Sequence, residues 1–304
     1  MLYFKKEEGL DMKRLATLLL VVAVPLFAIM PTSLMDYKTS PKQKSKIVVD
    51  NDLRDILDDM DMSKADPKKW AFIIAAEEYD ETDPVKYSKQ SGELFKEVAK
   101  KVLKVSERRT YALIGKDATT GKIKNRMHKL LKFVRPGDTI YFYYSGHGIP
   151  DIESKEAYLL PKDVDPAYIA DEPQLKLANI YKTLEKSKAK KVVAFIDSCF
   201  SGATDNKSLF KGVAATRIKS KKIAVNKTKM VVVTAGQDKQ FSNMYKAKEM
   251  RLFSYYLMKN LIEGKKDIGT IYKAVKNDVE TKSFEMGDQY YQSPTISGNT
   301  KMKF

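Results

Sequence analysis

Cys199 and His147 are the residues of this chain whose types and placement suit chemistry. The sequence has one cysteine and two histidines, and the cysteine and one histidine sit in two short motifs. These are Tyr143-Tyr144-Ser145-Gly146-His147-Gly148 and Asp197-Ser198-Cys199-Phe200-Ser201-Gly202, and His147 precedes Cys199 by 52 residues. A thiol becomes a strong nucleophile when an imidazole within reach can take its proton, so the pair suits covalent attack on a carbonyl carbon. Each motif follows a strand-like apolar run, residues 139–144 and 192–196. Strand ends are where an open α/β sheet presents such groups. An unpaired cysteine is most often a small buried hydrophobe. Its position after a strand, between Asp197 and Ser201-Gly202, argues against that reading here.

The elements that must position the pair read as a βα series from Trp70 onward. Apolar strand-like runs cover residues 70–76, 110–114, 139–144, 191–196 and 230–235. Between and after them, residues 91–105, 123–134, 180–187, 251–262 and 268–281 carry apolar side chains at helical spacing. Strands alternating with helices of this length predict an α/β fold, a mostly parallel central sheet with helices on both faces. Both His147 and Cys199 then fall beyond the carboxyl ends of strands. His128, beside Arg126 and Lys129, reads as a surface residue of a helix.

Composition narrows the chemistry. A single cysteine excludes an intramolecular disulfide, and there is no CxxC or HExxH metal framework. The net charge of +16 comes from lysines spread along the whole chain, with no nucleic-acid-binding signature. It reads as a solvated surface with no specific nucleic-acid partner. Between Arg14 and Asp36 lie 21 uncharged residues preceded by Lys5, Lys6, Lys13 and Arg14. That is the layout of an export signal, and its length also reaches the ~20 residues of a membrane span. Residues 1–35 are therefore expected to be a cleaved signal or a single-span anchor, with membrane association through residues 15–35 and the remainder exported, periplasmic or extracellular. Residues 36–69 read as a linker or acidic pro-segment. Its apolar and aspartate residues between 47 and 61 fit either a short helix packing on the body or a solvated spacer.

The histidine and cysteine motifs resemble those of the caspase-like cysteine peptidases, the metacaspases and bacterial caspase-like proteins above all. Arg135-Pro136-Gly137-Asp138 ahead of the histidine strand, Tyr158-Leu159-Leu160-Pro161, Thr234-Ala235-Gly236-Gln237-Asp238, Leu252-Phe253-Ser254-Tyr255 and Gln292-Ser293-Pro294 are similar to further blocks of that family. The resemblance covers residues 70–304, with a large-subunit part at 70–202, a basic loop at 203–229 and a small-subunit part at 230–304. It implies a three-layer caspase-like fold and a zymogen of a cysteine endopeptidase acting on peptides or proteins. Cys199 is the implied nucleophile, His147 the general acid/base, and the N–H groups of Gly148 and Cys199 the oxyanion hole. Asp197, supported by Ser145, is the implied substrate-binding carboxylate, which favours Arg or Lys before the scissile bond. Aspartate there is disfavoured because no pocket arginine is indicated. Where the family often carries an Asn-Asp-Ala triplet, this chain reads Gln90-Ser91-Gly92, so a second pocket carboxylate is not evident. No cofactor is required for this chemistry, and calcium activation cannot be read from these residues. The lysine-rich loop at 203–229 would be a substrate of the enzyme itself. Two other classes remain: a catalytically silent caspase-like scaffold, and a basic surface protein that binds polyanions.

Overall fold

The computed structural model describes residues 53–60, 64–200, 203–204, 207–209, 219–237 and 240–303. The expected export segment, most of the linker and much of the basic loop lie outside the described residues. Six strands form the central sheet: β1 (Lys69–Ala75), β2 (Thr110–Ile114), β3 (Thr139–Ser145), β4 (Lys191–Asp197), β5 (Met230–Thr234) and β6 (Thr295–Gly298). Their order is β6-β5-β4-β3-β1-β2, with every pairing parallel except the antiparallel edge strand β6. The helices among the described residues are α1 (Leu53–Asp58), α2 (Ser88–Lys101), α3 (Thr120–Phe133), α4 (Leu177–Lys186), α5 (Leu252–Ile262) and α6 (Ile268–Glu285).

The central strands are continuous apolar runs because both of their faces are covered. In β3, Ile140, Phe142 and Tyr144 enter a core shared with Ile123 and Leu130 of α3 and Leu177, Ile180 and Leu184 of α4. Tyr141 and Tyr143, pointing the other way, enter a second core with residues of α1, α2, α5 and α6. The Phe95 ring of α2 stacks on Tyr143 at 4.3 Å between centroids. This is the three-layer arrangement expected from the sequence. The acidic segment before β1 ends in α1, a packed helix: Leu53 and Leu57 are buried in the second core, and Lys101 Nζ donates to the Leu57 carbonyl at 2.7 Å.

At the amino-terminal end of the sheet, the turn before β3 is fixed by one buried carboxylate. Asp138 accepts from Trp70 Nε1 at 2.8 Å and from the Arg135 backbone N–H at 3.0 Å. The Arg109 guanidinium lies 3.5 Å from the same oxygen and 4.5 Å above the Trp70 ring. One side chain thus ties the starts of β1 and β3, the strands that lead towards the cleft. Asp138→Ala leaves the buried Trp70 indole N–H and the Arg135 N–H without their acceptor and is expected to lower stability by roughly 1–3 kcal/mol in urea unfolding. A change within about 0.5 kcal/mol, the range of an ordinary surface substitution, would show that the anchor is dispensable.

Candidate active site

The site follows from strand register. In the parallel pair β3–β4, Ser145 is opposite Asp197. His147 and Cys199 each come two residues after these partners, so both motifs leave the sheet side by side, where neighbouring strands are ~4.8 Å apart. The two exits are also bonded to each other. The Gly146 N–H donates to the Asp197 carbonyl at 3.3 Å, and Ser198 Oγ donates to the Gly146 carbonyl at 2.8 Å. A side chain at Gly146 would meet the hydroxyls of Tyr79 and Tyr144 at 2.6 and 2.9 Å, so the exit requires glycine.

His147 is buried and its backbone is fixed on both sides. Its N–H donates to Tyr79 Oη at 2.7 Å, while its carbonyl accepts from Tyr144 Oη at 2.5 Å and from the Leu160 N–H at 3.0 Å. The Tyr79 ring lies 4.7 Å from the imidazole. Nε2 is 2.7 Å from the Asp83 carbonyl, an acceptor, so Nε2 carries the hydrogen and Nδ1 is the basic nitrogen. Burial pushes the imidazole pKa down to about 4; the Asp83 carbonyl opposes this shift and the Arg251 charge adds to it. Cys199 is half-buried. Burial raises its thiol pKa, against the influence of the Ser242 N–H and the Arg251 charge. At neutral pH the site therefore holds a neutral imidazole and a neutral thiol.

His147 and Cys199 line one cleft of about 880 Å³, walled by residues 83–86 from the β1–α2 connection and by residues 241–247 and Arg251. Gly148 opens a short antiparallel ribbon with residues 157–159. A Cβ at Gly148 would meet the Phe200 ring at 2.5 Å and Ser198 Oγ at 2.6 Å, so only glycine lets the histidine loop lie against the cysteine loop.

Asp197 and Ser145 lie beneath this cleft and are not among its lining residues. Both are buried. The Asp197 carboxylate accepts from the Ser254 N–H at 3.0 Å and Ser254 Oγ at 2.5 Å, and its other oxygen accepts from Ser242 Oγ. The carboxylate thereby satisfies an N–H in the first turn of α5, where helix amides lack intrahelical partners. Ser145 Oγ donates to Ser88 Oγ at 3.0 Å. Ser91, within the Gln90-Ser91-Gly92 stretch, donates to the Tyr87 carbonyl and accepts from the Arg251 N–H. Glu93 is exposed and is not among the residues lining the cleft, and His128 is also exposed.

The cleft contains residues that the sequence reading passed over. Tyr79 and the Asp83 carbonyl hold the histidine, and they come from a loop with no periodic signal. Arg251 lines the cleft beside Cys199, whereas the sequence had indicated no pocket arginine. One local signal could have marked it: a cation at the N-cap of α5 opposes the helix dipole.

The comparisons agree with this architecture. The family model of the caspase domain matches residues 68–304. A crystal structure of a Geobacter sulfurreducens protein is similar to this chain at 20% identity, with a TM-score of 0.57. The similarity covers 78% of this chain and 95% of that one, and at that identity it speaks for the fold alone. No curated protein matches the chain.

Two outcomes are expected from this geometry. Asp197→Ala removes three buried hydrogen bonds to a charged acceptor, so it should cost roughly 2–4 kcal/mol in thermal or urea unfolding. Unchanged stability with altered peptide selectivity would instead assign Asp197 to substrate contact alone. The raised thiol pKa means that the reactive thiolate is scarce at neutral pH and grows as pH rises. Iodoacetamide alkylation of the single cysteine should therefore keep accelerating beyond pH ~8.5, the pKa of a free thiol. A plateau near neutrality would reveal a preformed thiolate–imidazolium pair.

Proposed function

Because the chain belongs to the caspase domain family, we propose that it is a cysteine endopeptidase with Cys199 as nucleophile and His147 as general acid/base. The observation that carries this reading is the presence of the half-buried thiol and the pinned imidazole in one cleft, at matched positions beyond paired strands. Nδ1 takes the Sγ proton and the thiolate attacks the peptide carbonyl carbon. The N–H groups of Gly148 and Cys199 receive the oxyanion. The imidazolium then gives its proton to the leaving amine as the C–N bond breaks, leaving a thioester. Water, deprotonated by His147, attacks the thioester, the C–S bond breaks, and the carboxylic acid and thiol are restored. Every step balances with thiol, imidazole and water.

The neutral pair makes the first proton transfer uphill in this state, which supports a latent form that substrate or processing must activate. Cleavage after Arg or Lys, with self-processing in residues 203–229, is the specificity that the family resemblance suggests. It carries a structural condition: Asp197 must release Ser242 or Ser254 to reach a substrate cation. For the amino terminus, the 21 uncharged residues behind a basic flank support export, by a cleaved signal or a retained span.

The test is hydrolysis of fluorogenic peptides with Arg, Lys, Asp or Glu before the reporter, with and without calcium, by the full chain and by Cys199→Ala. Turnover should fall about a thousandfold or more in the variant. Turnover that survives the substitution would remove Cys199 from the chemistry. No turnover together with no labelling by electrophilic peptides would favour the silent scaffold.

A further inference from the structure

β2 stands at one edge of the central sheet and pairs with β1 alone. A strand paired on one side presents a row of N–H and C=O groups to the other side, a template for a further strand. Among the described residues, no backbone hydrogen bond outside the sheet reaches residues 111–114. Proteins blunt such edges with lysine, proline or a bulge. β2 reads Thr-Tyr-Ala-Leu-Ile in unbroken register with β1 and has none of these. Tyr111, Ala112 and Ile114 stay only half-buried, whereas β1 is buried from Trp70 to Ala75.

The two faces of this edge differ in chemistry. Ala112 and Ile114 lie against the second core, on the side of α2, and present an apolar face. On the other side a groove of about 390 Å³ runs between β2 and α3, with Leu113, Asp117, Lys122, Asn125 and Arg126 among its walls. α3 carries five cations, Lys122, Lys124, Arg126, Lys129 and Lys132, and no carboxylate. Asp117 is the one carboxylate among the lining residues, and Lys122 donates to it at 2.5 Å. Arg126 is exposed, 5.5 Å above the Tyr111 ring, and has no ion pair among the described residues. None of these residues lines the catalytic cleft.

We propose that the β2 edge is a docking site for an extended acidic segment of a partner protein, which adds a seventh strand to the sheet. Side chains of an added strand alternate between the two faces. Apolar residues would then continue the second core beside Ala112 and Ile114, and Asp or Glu at the alternate positions would meet Arg126 and the α3 cations. Charge decides against a second copy of this chain as the occupant: pairing β2 with β2 would bring two α3 helices together, each carrying five cations. The chain's own aspartate-rich helix, α1, is already packed in the second core. The proposal does not depend on the peptidase reading.

The test uses the full chain carrying Cys199→Ala, so that no probe is cleaved, and a short labelled peptide of alternating valine and aspartate. Fluorescence anisotropy should give a Kd on the order of 100 μM or tighter, weakened by salt, with lysine in place of aspartate costing at least about tenfold. N-methylation of alternate residues should abolish binding in one phase and spare it in the other, because only alternate residues of an added strand bond to the edge. Arg126→Glu, an exposed position whose folding the melting temperature checks, should weaken the aspartate peptide about fivefold or more. Hydrogen exchange locates the contact: the bound peptide should slow exchange in residues 110–114 at least tenfold and leave residues 241–247 of the cleft unchanged. No binding, equal binding of the lysine peptide, indifference to both phases of methylation or to Arg126→Glu, or protection confined to the cleft would each overturn the proposal. So would a dimer in sedimentation velocity that protects residues 110–114 without peptide, since that makes a second copy the occupant.

Discussion

The parallel register between β3 and β4 is the constraint on which the rest of the site depends. With Ser145 opposite Asp197, the two motifs emerge in step, and bonds through Gly146 and Ser198 keep them in step beyond the sheet. A slip of one residue would turn every side chain of a strand to the other face. Tyr143 would then lose its stack on Phe95, and Asp197 would point away from α5. Because both faces of these strands are buried, the packing of two cores fixes the same register that aligns the imidazole with the thiol. Fold specificity and active-site geometry are one requirement here.

Asp197 shows how little freedom that leaves. Taking a carboxylate out of water is expensive unless its acceptor sites are filled. Three donors from Ser242 and Ser254 fill them. Ser254 also meets Tyr143 Oη at 2.6 Å, so the same hydroxyl joins the second core to the start of α5. The carboxylate therefore links β4, the cleft wall and α5. Drawing it towards a substrate would leave buried donors unpaired, and contact with a substrate cation would have to outweigh that loss.

Much of this was legible in the sequence, and the reasons are physical. Strands buried on both faces write themselves as uncharged runs, so β1, β3, β4 and β5 stand out, as do the motifs at their ends. Helix starts are less visible: α2 begins at Ser88 and α3 at Thr120, each three residues ahead of the start that the apolar spacing indicates. The site's supporting contacts left no trace because they use backbone atoms and loops. Nothing about Asp83 signals that its carbonyl meets the ring of the histidine. Tyr79 lies in a stretch of glutamates and aspartates that reads as solvated loop. For α1, the pattern of leucines among aspartates fitted a packed helix and a spacer equally, and only the partner surface of α2 and α5 decides between them.

The net charge of +16 and the cations of the cleft have the same sign but do different work. Lysines spread over the surface create a field that salt screens over about 8 Å at physiological ionic strength. That field draws any polyanion and discriminates among none. Arg251 acts at short range within the cleft, where its charge lowers the pKa of both the Cys199 thiol and the His147 imidazole. On that argument the dispersed lysines govern how fast acidic chains arrive, while the Arg251 charge acts on the protonation of the pair itself, favouring the thiolate and disfavouring the imidazolium.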